Sequence, residues 1–353
     1  MKSKVTVRLG NVLVIGCFVA ASLTTQKVSA QGDLYYQGKT VRIVVGFTPG
    51  GFYDRWARLL ARYMPKYIPG QPEFIVQNMP GASSVIAANY VYNVAKSDGL
   101  TLGMSINSLY LDQFVGRKEA KYDVRKYEWI GSQERSFSTI YFRADSPYKS
   151  IDDVVKGKEP PKCGSTGTAS ISYILPKVLE ETVGAKFTIV LGYPGGSEID
   201  LAVQKGEVVC RAQDINSHFG REPFLTWHNT NFDRHLLQDG PTRDPRLPEA
   251  PTLKEIMERY KTPPASQKVA EIVLGTGALG RPLMATPGTP TDRVKILRDS
   301  YARALADPSL VEEAKRARME MEPITGEEIQ KSMNELINQP ADIVACVKKV
   351  LGN

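Results

Sequence analysis

Histidine, tryptophan and cysteine are scarce: three, three and four among 353 residues. The scarcity limits imidazole, thiol and metal chemistry at once. His218, His228 and His235 fall in no recognisable base motif and read as ordinary polar residues of an irregular region. The cysteines show no metal-ligand spacing, so no metal and no cofactor is expected. There is no G-x-S-x-G elbow, no H-E-x-x-H, no G-x-G-x-x-G in the first strand–helix turn and no lysine of the phosphate-loop type after Gly50 and Gly51. Acidic pairs (Asp152 with Asp153, Glu180 with Glu181) and the basic run at 315–318 read as solvated helix faces. Charge of one sign is also lacking. The net charge is +7, but Lys2, Lys4, Arg8 and Lys27 supply four of those charges with no acid before residue 31. The remaining +3 does not suggest a nucleic-acid binder. Beyond residue 30 no apolar run is long enough to span a membrane.

What is present begins with an export signal. Lys2, Lys4 and Arg8 precede an apolar stretch from Val12 to Leu23, and Val28, Ser29 and Ala30 form a small-residue cleavage site. Cys17 stands in a lipoprotein-like box. The apolar run continues past it, however, so residues 1–30 are read as a cleaved signal peptide and the mature chain as periplasmic. Cys163, Cys210 and Cys346 then remain, an odd number. Cys163 and Cys210 fall on strands that the topology places side by side, a possible disulfide pair.

The mature chain reads as α/β. Strand-like segments at 41–47, 73–77 and 100–106 alternate with amphipathic helices, a βαβαβ unit. A second unit follows, with strands near 162–164, 186–191 and 207–212. In each unit Gly-, Ser- and Thr-rich turns gather at the strand ends: Thr48 to Asp54, Asn78 to Ser83 and Ser105 to Ser108 in the first, Ser165 to Ser170 and Tyr193 to Ser197 in the second, with Asp214 ending the last strand. Backbone N–H groups at a helix N-terminus and uncharged hydroxyls suit an anion. Each such loop is also what an ordinary capped turn looks like; their recurrence at equivalent ends of two units favours a ligand site.

Several motifs resemble the periplasmic receptors of tripartite tricarboxylate transporters, the Bug-type receptors. That family's PFPPGGxxDxxAR is similar to GFTPGGFYDRWAR at 46–58, NKPGAGG to NMPGASS at 78–84, and DGYTL to DGLTL at 98–102. Its GSxGxGS loop resembles GSTGTAS at 164–170, its tyrosine–glycine loop YPGGS at 193–197, and LPxxPTxxE the segment LPEAPTLKE at 247–255. The resemblance runs in order along nearly the whole mature chain. It implies a type II periplasmic binding protein of two Rossmann-like lobes with a ligand cleft between them: residues 31–142 with 280–353 as one lobe, 143–279 as the other. It also implies a receptor, not an enzyme, that delivers a small carboxylate to two integral-membrane transporter subunits and acts as a monomer.

The ligand-binding residues expected on these grounds are Thr48, Gly50, Gly51, Asp54, Ser83, Asn107, Ser165, Thr166, Gly167, Thr168, Ser170, Tyr193 and Asp214. Asp54 is read as the helix N-cap. Phe52, Tyr53 and Trp56 suggest an aromatic wall, and neither anion loop holds Lys or Arg. Thr48 stands where the family often has proline, and Ser83, Ser84, Ala169 and Ser170 replace glycines. An exported α/β enzyme, or a ligand sensor acting on a small anionic metabolite, is the alternative reading.

Overall fold

The computed structural model describes residues 35–351, so the signal peptide and Cys17 lie outside the described residues. Eleven strands run in chain order: β1 (Thr40–Val45), β2 (Glu73–Asn78), β3 (Thr101–Met104), β4 (Glu128–Ser132), β5 (Ser138–Arg143), β6 (Lys162–Gly164), β7 (Thr188–Val190), β8 (Cys210–Asp214), β9 (Asp233–Gln238), β10 (Leu283–Ala285) and β11 (Ile324–Thr325). They form two sheets, ordered β11-β4-β10-β3-β1-β2 and β7-β6-β8-β5-β9.

The two expected βαβαβ units are the parallel parts of these sheets, β2-β1-β3 and β7-β6-β8. Sequence pattern follows position in the sheet. The interior strand β1 is buried on both faces through Ile43, Val44 and Val45, whereas the edge strand β2 alternates exposed and half-buried residues. Each unit is extended by antiparallel strands: β4, β10 and β11 in the first sheet, β5 and β9 in the second. A short strand at 139–142 and an extended return over 274–284 are legible in the sequence; β4, β9 and β11 are not. Strand β5, placed before the 142 boundary in the sequence reading, is hydrogen-bonded into the second sheet.

The chain passes from the first sheet to the second through 133–137 and returns through 275–282. These two passages hold each other. Ser136 N–H donates to the Gly277 carbonyl at 3.1 Å, Arg281 N–H to Ser132 Oγ at 2.9 Å, and Arg135 Nη1 to the Ala278 carbonyl at 3.0 Å. Between them Arg281 pairs with Glu134, side chains 1% and 0% exposed. The helix Ala341–Leu351 bridges as well: the Leu351 carbonyl accepts from Arg117 and from Tyr173.

Inside the second sheet Cys163 and Cys210 are register partners, with Cα atoms 4.5 Å apart, and are joined by a disulfide. Cys346 is a free, exposed thiol. Among the described residues no helix is long and apolar enough to cross a membrane.

Candidate ligand-binding site

An enclosed cleft lies between the strand ends of the two sheets. Thr48, Gly51, Phe52, Tyr53, Asn107 and Ser108 line it from the first; Thr166, Ser170, Gly196, Arg211, Asp214 and Arg221 line it from the second. Its volume is about 80 Å³, small beside the roughly 300–1,000 Å³ usual for ligand sites. The reason is that the gap is closed. Thr48 Oγ1 donates to Glu198 Oε2 at 3.2 Å, Ser83 Oγ meets Thr166 Oγ1 at 2.8 Å, and Ser108 Oγ donates to the Ala169 carbonyl. Arg55 donates to the Gly220 carbonyl at 2.7 Å.

Of the residues expected from sequence, Thr48, Gly51, Asn107, Thr166, Ser170 and Asp214 line the cleft. The others have different roles. The N-cap of the helix Phe52–Tyr63 is Gly51, and Asp54 sits in its first turn. Asp54 is buried and accepts from Gly50 N–H at 2.9 Å, from the Arg58 guanidinium and from Asn78 Nδ2 at 2.9 Å. Burial alone would raise its pKa; the hydrogen bonds from Arg58, Gly50 and Asn78 outweigh it and hold the carboxyl below its ordinary value. The anion expected in this loop is therefore supplied by the protein's own side chain, and the Gly50 donor is already used. Gly50, at φ +80°, serves the turn.

Ser165 belongs to a hydroxyl chain: Ser172 Oγ donates to it at 2.9 Å, and it donates to the Gly167 carbonyl at 3.0 Å. Gly167 passes so close to Ser83 that a Cβ would lie 2.7 Å from Ser83 Oγ. Ser83 meets Thr166 from a run of left-handed residues, Ala82, Ser83 and Ser84, a conformation that costs L-residues about 1–2 kcal/mol each. Thr168 is half-buried and outside the lining. Tyr193 packs against the apolar cluster of Tyr141, Ile199 and Trp227. Trp56 is fully buried in the core, so the aromatic wall consists of Phe47, Phe52 and Tyr53.

The sequence reading had Asp214 but missed the arginines and Asp200. Arg211 Nη1 and Arg221 Nη2 both bind the buried carboxylate of Asp200, which holds two guanidiniums in place at the cleft wall. Burial works against a charged Arg211, and Asp200 more than offsets it, so its pKa is raised. Beneath the wall Arg281 Nη2 reaches Asp214 Oδ2 at 2.9 Å and Ser217 Oγ at 2.6 Å, and its guanidinium lies over Phe52 and Tyr53 at 4.6 and 4.9 Å. Burial pushes Asp214 up to about 6 and Arg281 down to about 10. Three guanidiniums (Arg211, Arg221, Arg281) thus face three carboxyl groups (Asp200, Asp214, Glu134), and a proton on Asp214 leaves one positive charge for an incoming anion. The readable signal was Arg211 itself, one charged residue inside the short strand β8 between buried Cys210 and Ala212.

Comparison with known proteins agrees with this geometry. Over 307 residues the chain is 26% identical to a "UPF0065 protein in tcbD-tcbE intergenic region" from Pseudomonas sp. (strain P51), covering 84% of this chain and 83% of that one. The fold matches the periplasmic binding protein BugD with a TM-score of 0.69 at 20% identity, over 89% of this chain and 98% of that one. It matches MatC from Rhodopseudomonas palustris with bound malate at 0.68 and 19%, over 89% and 99%. The profile of the tripartite tricarboxylate transporter family receptor, TctC, matches residues 56–349. The chain belongs to this family of transporter receptors.

Proposed function

We propose that the protein captures a small carboxylate in the cleft, in the periplasm, and hands it unchanged to a tripartite tricarboxylate-type transporter. The carrying observation is the pair Arg211 and Arg221, fixed on Asp200 and facing uncharged donors across a closed gap. Planar guanidiniums match carboxylate geometry and bind it through charge-assisted hydrogen bonds. The small volume favours a compact di- or tricarboxylate over an aromatic acid, and the malate held by a relative of the same fold is of that class.

In this reading two lobes meet at the cleft. One comprises residues from 31 to about 137 with about 280–353, and the other the residues between, a division placed a few residues before 142 because β5 belongs to the second sheet. The hinge is the pair of passages at 133–137 and 275–282, and residues 1–30 direct export. The receptor works as a monomer, docks on two integral-membrane subunits and performs no catalysis.

Gly195 provides the test. Its backbone is extended, and a Cβ there would collide with Thr48 Oγ1 and come within 2.8 Å of Glu198 Oε2. Gly195→Ala therefore obstructs closure and leaves the guanidiniums untouched. In calorimetry with malate, succinate and citrate the parent should bind one ligand per chain and compact in small-angle scattering. The variant should bind at least tenfold more weakly and stay open. Failure of the parent to bind any of them, or recovery of a chemically altered compound, rejects the receptor reading.

A further inference from the structure

Sequence scatters the histidines over 218, 228 and 235, yet two of them meet in the second sheet beside a buried carboxylate. His218 lies on the short helix Ile215–Phe219 that follows β8. Asp233 and His235 are two residues apart on β9 and share one face of it. His218 Nε2 is 2.9 Å from Asp233 Oδ2 and 3.1 Å from His235 Nε2, and His235 Nε2 is 3.8 Å from the same oxygen. The side chains of His218, Asp233 and His235 are 0%, 1% and 6% exposed. Oδ2 of Asp233 meets only the two imidazole nitrogens, and no side-chain donor reaches Oδ1, a sparse set of partners for a carboxylate shut away from water.

The surrounding hydrogen bonds set the rings. Thr139 Oγ1 donates its proton to the Leu237 carbonyl at 2.8 Å, so at 3.0 Å from His235 Nδ1 it accepts. His235 then carries its proton on Nδ1 and turns the lone pair of Nε2 toward the cluster, as metal-ligating histidines do. The Gln213 side-chain amide lies against His218 Nδ1 at 2.7 Å. Turned over, that amide accepts the Nδ1 proton and frees His218 Nε2 in the same way. The triangle of donors has sides of 2.9, 3.1 and 3.8 Å. Donors at about 2.0–2.2 Å from a tetrahedral zinc stand about 3.3–3.6 Å apart, so half-ångström adjustments complete the site.

We infer that His218, His235 and Asp233 form a buried divalent-metal site of the zinc class. Two imidazoles and one carboxylate suit zinc better than magnesium or calcium. The ion neutralises the buried carboxylate and ties the helix after β8 to β9. Gln213, Asp214 and Ser217 line the ligand cleft, so the metal fixes that part of its floor.

The test uses untagged protein from zinc-supplemented cells, and a second sample refolded with Co²⁺. Elemental analysis should give about one zinc per chain, and the cobalt form should show the intense visible absorption of a tetrahedral N/O site. Chelation should lower the thermal midpoint by a few degrees. His235→Gln and Asp233→Asn should reduce metal content at least tenfold, and the exposed His228→Gln should leave it unchanged. Should the first two fail to fold, the parent's zinc count and cobalt spectrum decide alone. Less than a tenth of a zinc per chain overturns the inference and leaves a proton-bridged network, in which His218 Nε2–H donates to His235 Nε2. A cobalt spectrum without the tetrahedral bands, or metal lost equally in His228→Gln, also overturns it.

Discussion

The two walls of the cleft are built from similar βαβαβ units but read a ligand differently. The wall on the first sheet presents Thr48, Gly51, Tyr53 and Asn107 and no formal charge; the wall on the second presents Arg211, Arg221 and Asp214. The loop after β1 could have offered a helix N-terminus to an anion, but Asp54 occupies it. In the second sheet the corresponding acid, Asp200, is set behind the wall and points its guanidinium partners forward. An internal carboxylate therefore closes one anion site and organises another. The first wall supplies shape and closure, the second affinity for charge.

The largest test of this difference is covalent. The second sheet is stapled by Cys163 and Cys210, 47 positions apart, whereas no disulfide ties the described part of the first. Cys210→Ser should cost about 4 kcal/mol of stability by the loop-entropy estimate, read by urea unfolding. Under denaturing, non-reducing conditions Cys346 should be the one reactive thiol beyond residue 30. Two additional thiols would remove the staple. Next comes Arg211→Gln, which deletes a charge-assisted contact of roughly 1.5–3 kcal/mol, or about 10- to 150-fold in affinity for a dicarboxylate. Equal loss from an uncharged first-wall variant would erase the asymmetry.

The pH dependence should be smaller and should come from the second wall. Burial raises Asp214 from 3.8 to about 6. Because the folded value is the higher, the stability linked to its proton is complete below 3.8 and is lost as pH rises through about 6. An anion beside it holds that proton more tightly. Affinity for a ligand, corrected for the ligand's own titration, should fall between pH 5 and 7.5 by about tenfold for each pKa unit the ligand adds. Asp214→Asn should bind with a flat profile; a slope that persists assigns the proton elsewhere.

Local pattern made the parallel cores legible. The strand–helix alternation and the glycine turns both speak within ten residues. The LPEAPTLKE motif is structural: Thr252 caps a helix, and the Leu247 and Ala250 carbonyls accept from Gln238. The antiparallel strands β4, β9 and β11 owe their state to partners far along the chain, and nothing local marked them. Site residues divided the same way. Thr48 and Thr166 were found as loop residues, but Asp54 was misread because nothing in sequence says which way a buried carboxylate turns. Arg211 was missed because its meaning depends on Asp200 and Arg221, which only the fold assembles.

The smallest effect should come from the contact that joins the walls. The Thr48 hydroxyl donates to Glu198 Oε2 at 3.2 Å. Thr48→Val keeps the shape and removes the donor. Glu198 is half-buried, so its freed oxygen regains water and the loss stays near the usual 0.5–1.5 kcal/mol for one hydrogen bond, about 2- to 12-fold. The bond exists only when the gap is closed. Its loss should therefore lower apparent affinity through the population of the closed form and leave unfolding unchanged. A double-mutant cycle with Glu198→Gln isolates the pair. Coupling above about 0.5 kcal/mol in ligand affinity, with none in unfolding stability, identifies a closing contact. Coupling in unfolding instead would make it an ordinary scaffold bond, and the first wall would then contribute shape alone.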